Sequence, residues 1–153
     1  MALRNVLLDS EELLHKKSRK VDKITDDIWE LLDDMKETVR KNNGAGLAAP
    51  QVGVLKRIAV VEISGMYIEL INPKIIYTEG TQQTEEGCLS VKSFTGLVTR
   101  PYKITVSAED RYGYPFQITV EDAPATCFCH EIDHLDGILF TDKADSLIPI
   151  EKG

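Results

Sequence analysis

Histidine and cysteine are scarce in this sequence, which has three of each among its 153 residues. Three cysteines do not make a disulfide framework, so we expect reduced thiols that can act as thiolates. Positive side chains are also fewer than negative ones, which gives a net charge of −7. A protein that binds a phosphate backbone usually carries a basic surface, and the sequence therefore gives no direct nucleic-acid signal.

Long apolar runs are missing as well. No segment approaches the length of a membrane span, and the opening residues MALRNVLLDSEELL turn acidic where a secretory signal would stay apolar. We therefore expect a cytoplasmic protein with no membrane contact. The length, the 42% hydrophobic content and the 28% charged content are typical of one soluble globular domain, residues 1–153.

Helical patterns lie near both ends of the chain, with strand patterns between them. Residues 25–43 show apolar positions at helical spacing and predict a helix capped by Thr25; a shorter helix is predicted over 11–17. A last helix is predicted from a cap at Asp122 to Gly137. Strands are predicted over 57–63, 66–72, 74–79, 103–110 and 115–122, with a hairpin turn at RYGYP (111–115). This order indicates an α+β fold with antiparallel strands.

The stretch CHEIDHLDG (129–137) carries the pattern His-Glu-x-x-His on the last predicted helix. Residues four apart on a helix differ by only about 40° around the axis, so His130 and His134 face the same side. Two such imidazoles can bind one metal ion, and Glu131 beside them can accept a proton from water. The alternative is an ordinary surface network of two histidines and an acid.

A third metal ligand must come from elsewhere in the chain. One protease pattern adds a histidine six residues after the second, but Phe140 occupies that position here. Three carboxylates after the motif are possible ligands, but none lies on a convincing second helix; these are Asp136, Asp142 and Asp145. A thiolate is another ligand for such sites, and Cys88 in TEEGCLSV and Cys127 on the same helix are the candidates. Cys129 points away and is expected in the core.

Three segments resemble the signature motifs of the peptide deformylase family, in the family's order: GAGLAAPQVG (44–53), EEGCLS (85–90) and HEIDH (130–134). The resemblance covers nearly the whole chain and implies antiparallel β-sheets around a central helix carrying His-Glu-x-x-His. It implies one divalent metal ion held by Cys88, His130 and His134. Fe²⁺ is the physiological ion implied, and Zn²⁺, Ni²⁺ or Co²⁺ can take its place in the isolated protein.

The activity implied is hydrolysis of the formyl group from the N-terminal formyl-methionine of new polypeptides, with release of formate. The resemblance makes Glu131 the general base and gives the Gln51 side chain and the Leu89 backbone N–H the task of stabilising the oxyanion. The implied substrate-binding residues are Gly44, Ala45, Gly46, Gly87, Thr126 and Cys127. Glu86 and Arg100 match positions that support the metal site. The implied partners are formyl-methionyl nascent peptides and, as a further candidate, the ribosome exit region.

One segment departs from the family pattern. After EEGCLS the chain continues VKSFTG (91–96), with Lys92 where the family usually has proline, and we expect a loop bordering the substrate groove. Two other functions stay open at this point. One is a metallopeptidase with a third ligand other than Cys88, and the other is an inactive relative that binds metal or formyl peptides. Retention of Glu131 and Gln51 argues against the inactive relative, because a binding protein has no use for a general base.

Overall fold

The computed structural model describes residues 2–151, which contain three α-helices, eight strands and two short 3-10 turns. The helices are α1 (Asp26–Lys41), α2 (Ala123–Leu135) and α3 (Phe140–Lys143). The strands are β1 (Gly46–Ala48), β2 (Ile58–Ile63), β3 (Met66–Glu79), β4 (Gln82–Cys88), β5 (Val91–Arg100), β6 (Lys103–Glu109), β7 (Pro115–Glu121) and β8 (Ser146–Pro149). The 3-10 turns cover Glu12–His15 and Ala49–Val52.

Two antiparallel sheets enclose α2. One has five strands in the order β1-β2-β3-β6-β7, and the other has three in the order β4-β5-β8. Helix α2 packs on β1, β2 and β7 of the first sheet and also contacts β5 of the second. The predicted α+β fold, with antiparallel sheets around the helix that carries His-Glu-x-x-His, is confirmed. None of the helices described here is both long and apolar enough to cross a membrane.

The long N-terminal helix is confirmed as α1, whose apolar stripe is buried: Ile28, Leu31, Leu32, Met35 and Val39. Acidic residues occupy its first turn and basic residues its last, which complements the helix dipole. The predicted caps are wrong in one respect. Thr25 and Asp122 stand at the N-cap positions of α1 and α2, but neither side chain makes a capping hydrogen bond.

Several predicted boundaries need correction. Segments 66–72 and 74–79 form one strand, β3, because the Asn-Pro signal between them makes a bulge and not a turn. Asn72 has a φ of +52° there, and its side-chain amide exchanges two hydrogen bonds of 2.8 Å with the Val21 backbone. The helix predicted over 11–17 is only the turn Glu12–His15. The loop predicted over 91–96 is wrong, since β5 begins at Val91 and Lys92 is an exposed residue on it.

Glycines with a positive φ end helix α2 and form the turn of the β6–β7 hairpin. Gly137 follows α2 with a φ of +75°, and a Cβ atom there would lie 2.6 Å from the carbonyl carbon of His15. Only glycine fits such a close approach in a left-handed conformation. The predicted hairpin turn between β6 and β7 is confirmed, with Gly113 at a φ of +84°. The end of α2, where the two histidines lie, is thereby held against the N-terminal segment.

Candidate metal centre and catalytic cleft

Helix α2 and the end of β4 bring the three predicted metal ligands together. One ligand atom each from Cys88, His130 and His134 lie within 4.8 Å of one another. The Cys88 Sγ atom is 3.3 Å from Nε2 of His134. The two imidazole centroids are 5.0 Å apart, as the four-residue spacing on a helix predicts. In residues 2–151 no other group of three such ligands comes this close.

The residues present fit a metal ion. With metal–sulfur bonds of about 2.3 Å and metal–nitrogen bonds of about 2.0–2.1 Å, tetrahedral ligand atoms lie about 3.3–3.6 Å apart. A thiolate with two imidazoles is a soft donor set that suits iron, zinc, nickel or cobalt. His130 uses Nδ1 for a hydrogen bond to Glu86, which leaves Nε2 free to coordinate.

The carboxylates considered as alternative ligands are engaged elsewhere. Asp136 pairs with Arg57 at 3.0 Å, and Asp142 accepts the Leu139 N–H at 2.9 Å. Asp145 accepts hydrogen bonds from Thr99 and Gln83. None of the three belongs to the Cys88 cluster.

Cys127 and Cys129 lie outside the cluster of three ligand atoms. Burial raises the pKa of the Cys127 thiol to about 12 and that of Cys129 to about 11, so both stay protonated near neutral pH. Cys129 is buried in the apolar core, as expected from its direction on the helix. Cys127 instead lies on the wall of the cleft, near the ligands but outside their cluster.

A row of alternating charges begins at His130 and continues through Glu86, Arg100, Asp133 and Lys143. Burial alone would raise the pKa of Glu86, but hydrogen bonds from Arg100 and His130 outweigh it and lower the pKa to about 2. Arg100 binds Glu86 with two nitrogen–oxygen distances of 2.8 and 2.9 Å and also binds Asp133. Lys143 completes the row at 3.1 Å from Asp133. Asp133 thus lies between Arg100 and Lys143 in this row of charges and supports Arg100.

The surroundings of the two histidines differ in charge. Burial lowers the pKa of His130, but the Glu131 charge and contacts with Cys88 and Glu86 outweigh it and raise the pKa above its usual value. Burial and the neighbouring charges on His130 and Arg100 lower the pKa of His134. The surroundings of His130 therefore stabilise positive charge on its ring, whereas those of His134 favour the neutral imidazole.

Glu131 lies inside the same cleft with only 5% of its surface exposed. Burial raises the pKa of its carboxyl to about 7, although the positive charge on His130 opposes the shift. Within the described residues, its Oε1 atom has no hydrogen-bond partner. A Cβ atom on Gly46 would lie 2.6 Å from Oε2 of Glu131, so glycine at this point of β1 lets the carboxyl approach the strand.

The Gln51 side-chain amide lies beside the Cys88 sulfur. Its Oε1 atom accepts the Ala48 N–H at 2.9 Å, which aims Nε2 at Ser90 Oγ, 3.0 Å away, and at Cys88 Sγ, 3.5 Å away. The backbones of Gln51 and Ser90 are both hydrogen-bonded to the N-terminal segment. The Leu7 N–H donates to the Gln51 carbonyl, and the Asp9 N–H donates to the Ser90 carbonyl. Ser90 is a site residue that the sequence offered only as the last letter of EEGCLS.

Most of the predicted site residues line one cleft of about 400 Å³. The predicted residues that line it are Gly44, Ala45, Gly46, Gln51, Glu86, Gly87, Cys88, Leu89, Thr126, Cys127, His130 and Glu131. His134 and Arg100 lie behind this lining, both buried. Asn43, which adjoins GAGLAAPQVG, and Glu85, the first residue of EEGCLS, also line the cleft and were not predicted as site residues.

The family model described as "Polypeptide deformylase" matches residues 3–149 of the chain. The chain belongs to the peptide deformylase family. It is 50% identical over 152 residues to the peptide deformylase of Caldicellulosiruptor bescii, and the aligned region covers 99% of this chain and 92% of that protein. It is also 50% identical over 149 residues to peptide deformylase 2 of Clostridium acetobutylicum, covering 97% and 99% of the two chains.

Solved deformylase structures agree with the fold. A crystal structure of a peptide deformylase from Legionella pneumophila matches with a TM-score of 0.91 and 41% identity, over 94% of this chain and 87% of that one. A peptide deformylase from Synechococcus elongatus in complex with actinonin matches with a TM-score of 0.90 and 35% identity, over 94% and 79%. The predicted identity as a deformylase, a metal-dependent hydrolase acting at the formylated N-terminus, is confirmed for the family to which the chain belongs.

Proposed function

We propose that this deformylase hydrolyses the formyl amide of N-terminal formyl-methionine in new polypeptides, using the cleft of Cys88, His130 and His134. The observation that carries the proposal is the meeting of three ligand atoms within 4.8 Å in the cleft that also holds the buried Glu131. The products are formate and a free N-terminal amine. Residues 1–153 are proposed to act as one domain, because both sheets contact α2.

Cys88, His130 and His134 would hold one divalent ion. Such an ion supplies Lewis-acid chemistry, by making a water more acidic and by polarising the formyl carbonyl. We infer Fe²⁺ as the physiological ion from the family resemblance, with Zn²⁺, Ni²⁺ or Co²⁺ able to occupy the same donor set. Glu86 orients His130 through the 2.8 Å hydrogen bond at Nδ1, and Arg100 keeps Glu86 charged.

Glu131 moves the proton in this proposal. A carboxyl with a pKa of about 7 can accept a proton from the attacking water and later donate it to the departing amine. Its free Oε1 atom needs a partner, and the water would provide one. The metallopeptidase alternative uses the same general base, so the substrate and the third ligand must distinguish the two activities.

The Gln51 amide and the Leu89 backbone N–H stabilise the charge that develops on the formyl oxygen. Both residues line the cleft, and the Gln51 amide is fixed by Ala48 and Ser90 before any substrate arrives. Donors held in place in this way stabilise an oxyanion without reorganising during the reaction.

The peptide would lie along β1. This strand is at an edge of the five-stranded sheet and pairs with β2 alone among the strands of that sheet, so its other edge can accept an extended peptide. Gly44, Ala45, Gly46 and Gly87 all line the cleft and are proposed to contact the peptide. Thr126 and Cys127 form the wall proposed to receive the methionine side chain.

Nascent formyl-methionyl peptides are the proposed partners, and the ribosome exit region is a further proposed partner, since such peptides emerge there. The cytoplasm is the proposed location, because a thiolate ligand such as Cys88 requires a reducing compartment.

The test is formate release from a short formyl-methionyl peptide by protein prepared without oxygen and loaded with Fe²⁺ or Ni²⁺. We expect release that stops with a chelator and returns with metal. A parallel assay uses the same peptide with an acetyl group in place of formyl, to detect cleavage at internal bonds. Internal cleavage by a Cys88→Asp variant that keeps full metal binding would favour a peptidase. No reaction from protein with one metal ion per chain would favour an inactive relative.

A further inference from the structure

Phe140, which replaces the third histidine of the protease pattern, lies directly against a proposed metal ligand. Its ring is 1% exposed and stacks on the His130 imidazole, with centroids 6.0 Å apart and planes inclined by 25°. Ring pairs at this separation prefer such offset contact and contribute beyond the area they bury. Phe140 begins α3, and the two rings are ten residues apart in the chain.

The same ring belongs to the apolar cluster beneath the second proposed ligand. Phe140 packs with Leu14, Val91, Val98 and Leu139, and Cys88 packs against that cluster. One side chain therefore contacts His130 and supports the strand end that carries Cys88. The hydrogen bond from His130 to Glu86 engages the edge of the imidazole, whereas Phe140 packs against its face.

Gly96 makes room for this arrangement. A Cβ atom at Gly96 would lie 3.0 and 3.1 Å from two atoms of the Phe140 ring and 3.0 Å from the Ala144 Cβ. Glycine weakens a strand interior, so its presence within β5 suggests close approach by another group. Gly96 is also the register partner of Glu86 on β4, which places the gap for the ring across from the carboxylate that binds His130.

A second contact holds α3 in place. Lys143, in the last turn of α3, binds Asp133 of α2 at 3.1 Å. Phe140 and Lys143 therefore attach both ends of α3 to the helix that carries the histidines.

We propose that Phe140 is a positioning residue, which fixes the His130 ring plane for metal binding and depends on the gap at Gly96. This inference rests on the proposed role of His130 as a ligand. A ring held in one orientation loses little further freedom when it coordinates, so loss of Phe140 lowers the affinity for the ion.

The experiment compares Phe140→Leu with Phe128→Leu. Phe128 is an equally buried phenylalanine that packs in the core on the other side of α2. The readouts are the Co²⁺ dissociation constant from chelator competition, the visible spectrum of bound Co²⁺, and the urea midpoint of the metal-free protein. We expect both variants to lose stability, but only Phe140→Leu to weaken Co²⁺ binding, by about tenfold, and to alter the spectrum.

Gly96→Ala gives a test that keeps the ring. We expect it to weaken Co²⁺ binding in the wild-type background and to have less effect when combined with Phe140→Leu, because the clash with the ring is then relieved and only the contact with the Ala144 Cβ remains. Equal Co²⁺ affinities for the two leucine variants would overturn the inference. If instead His130→Ala bound Co²⁺ as the wild type does, the proposed metal site itself would be wrong, and that outcome is distinct.

Discussion

The two buried sides of α2 differ in chemistry more than in exposure. Towards the cleft, His130 and Glu131 are 7% and 5% exposed, and Glu131 has an oxygen with no partner among the described residues. Towards the five-stranded sheet, Phe128 and Ile132 pack in an apolar core. Burial stabilises the fold on the second side. On the first, it leaves polar groups with unmet hydrogen bonds, which lowers stability and prepares them for a ligand.

The largest expected change from the cleft side is in the rate. Glu131→Gln keeps the shape of the side chain but removes the base, and we expect kcat for formate release to fall by about 10²–10⁴-fold. Because burial disfavours the Glu131 charge, the variant should unfold at an equal or higher urea concentration. Elemental analysis should show unchanged metal content. Loss of the metal would mean that Glu131 has a structural role.

The largest expected change from the core side is in stability. Phe128→Ala removes a fully buried ring, and we expect the free energy of unfolding to fall by about 3–5 kcal/mol. The kcat of the protein that remains folded should be unchanged, as measured below the urea midpoint with correction for the folded fraction. A fall in that kcat would show that the two sides of α2 are not independent.

Gly46→Ala should misplace the base without removing it. The added methyl group would lie 2.6 Å from Oε2 of Glu131, so the carboxyl must move, and we expect kcat to fall by up to about 10²-fold. The control is the same substitution in the Glu131→Gln background, where little further loss is expected because the base is already absent. Full additivity of the two losses would argue against the contact.

Glu86→Gln should weaken the metal site by a smaller amount. We expect the metal dissociation constant to rise by about 10–100-fold, because His130 loses its anionic acceptor and Arg100 keeps only Asp133 as a charged partner. The matched control is Glu62→Gln, which breaks an arginine pair on the exposed surface with Arg40. Exposed pairs contribute little, so this control should leave metal binding unchanged. A similar effect of both substitutions would remove the case for Glu86 as a support.

Local patterns predicted those parts of the site that depend on neighbours in the chain. The helical period placed His130 and His134 on one side of α2, and the structure has their rings 5.0 Å apart. The choice of Cys88 over other ligands came from the motif resemblance, since no local rule brings β4 to α2. For the same reason, no local pattern predicts contacts between distant segments, such as that of Asp133 with Arg100.

Strands β5 and β8, which the sequence did not predict, have a related explanation. Strand β5 contains Lys92, Ser93 and Gly96, which weaken a strand pattern, and it forms because β4 and β8 pair with it on either side. Strand β8 has only exposed residues, so no alternation of burial marks it in the sequence. Both strands depend on pairing between distant segments, and neither shows the local period that predicts a strand.

The amide hydrogens of Leu7 and Asp9 join the N-terminal segment to the carbonyls of Gln51 and Ser90, at 2.7 and 2.8 Å. Those two carbonyls belong to residues whose side chains are hydrogen-bonded to each other. Solvent exchange at the two amides therefore reports whether the turn carrying Gln51 and the strand end carrying Cys88 separate. Deuterium uptake at these positions, followed with and without metal, would record motion of the cleft from a segment that contributes no ligand to it.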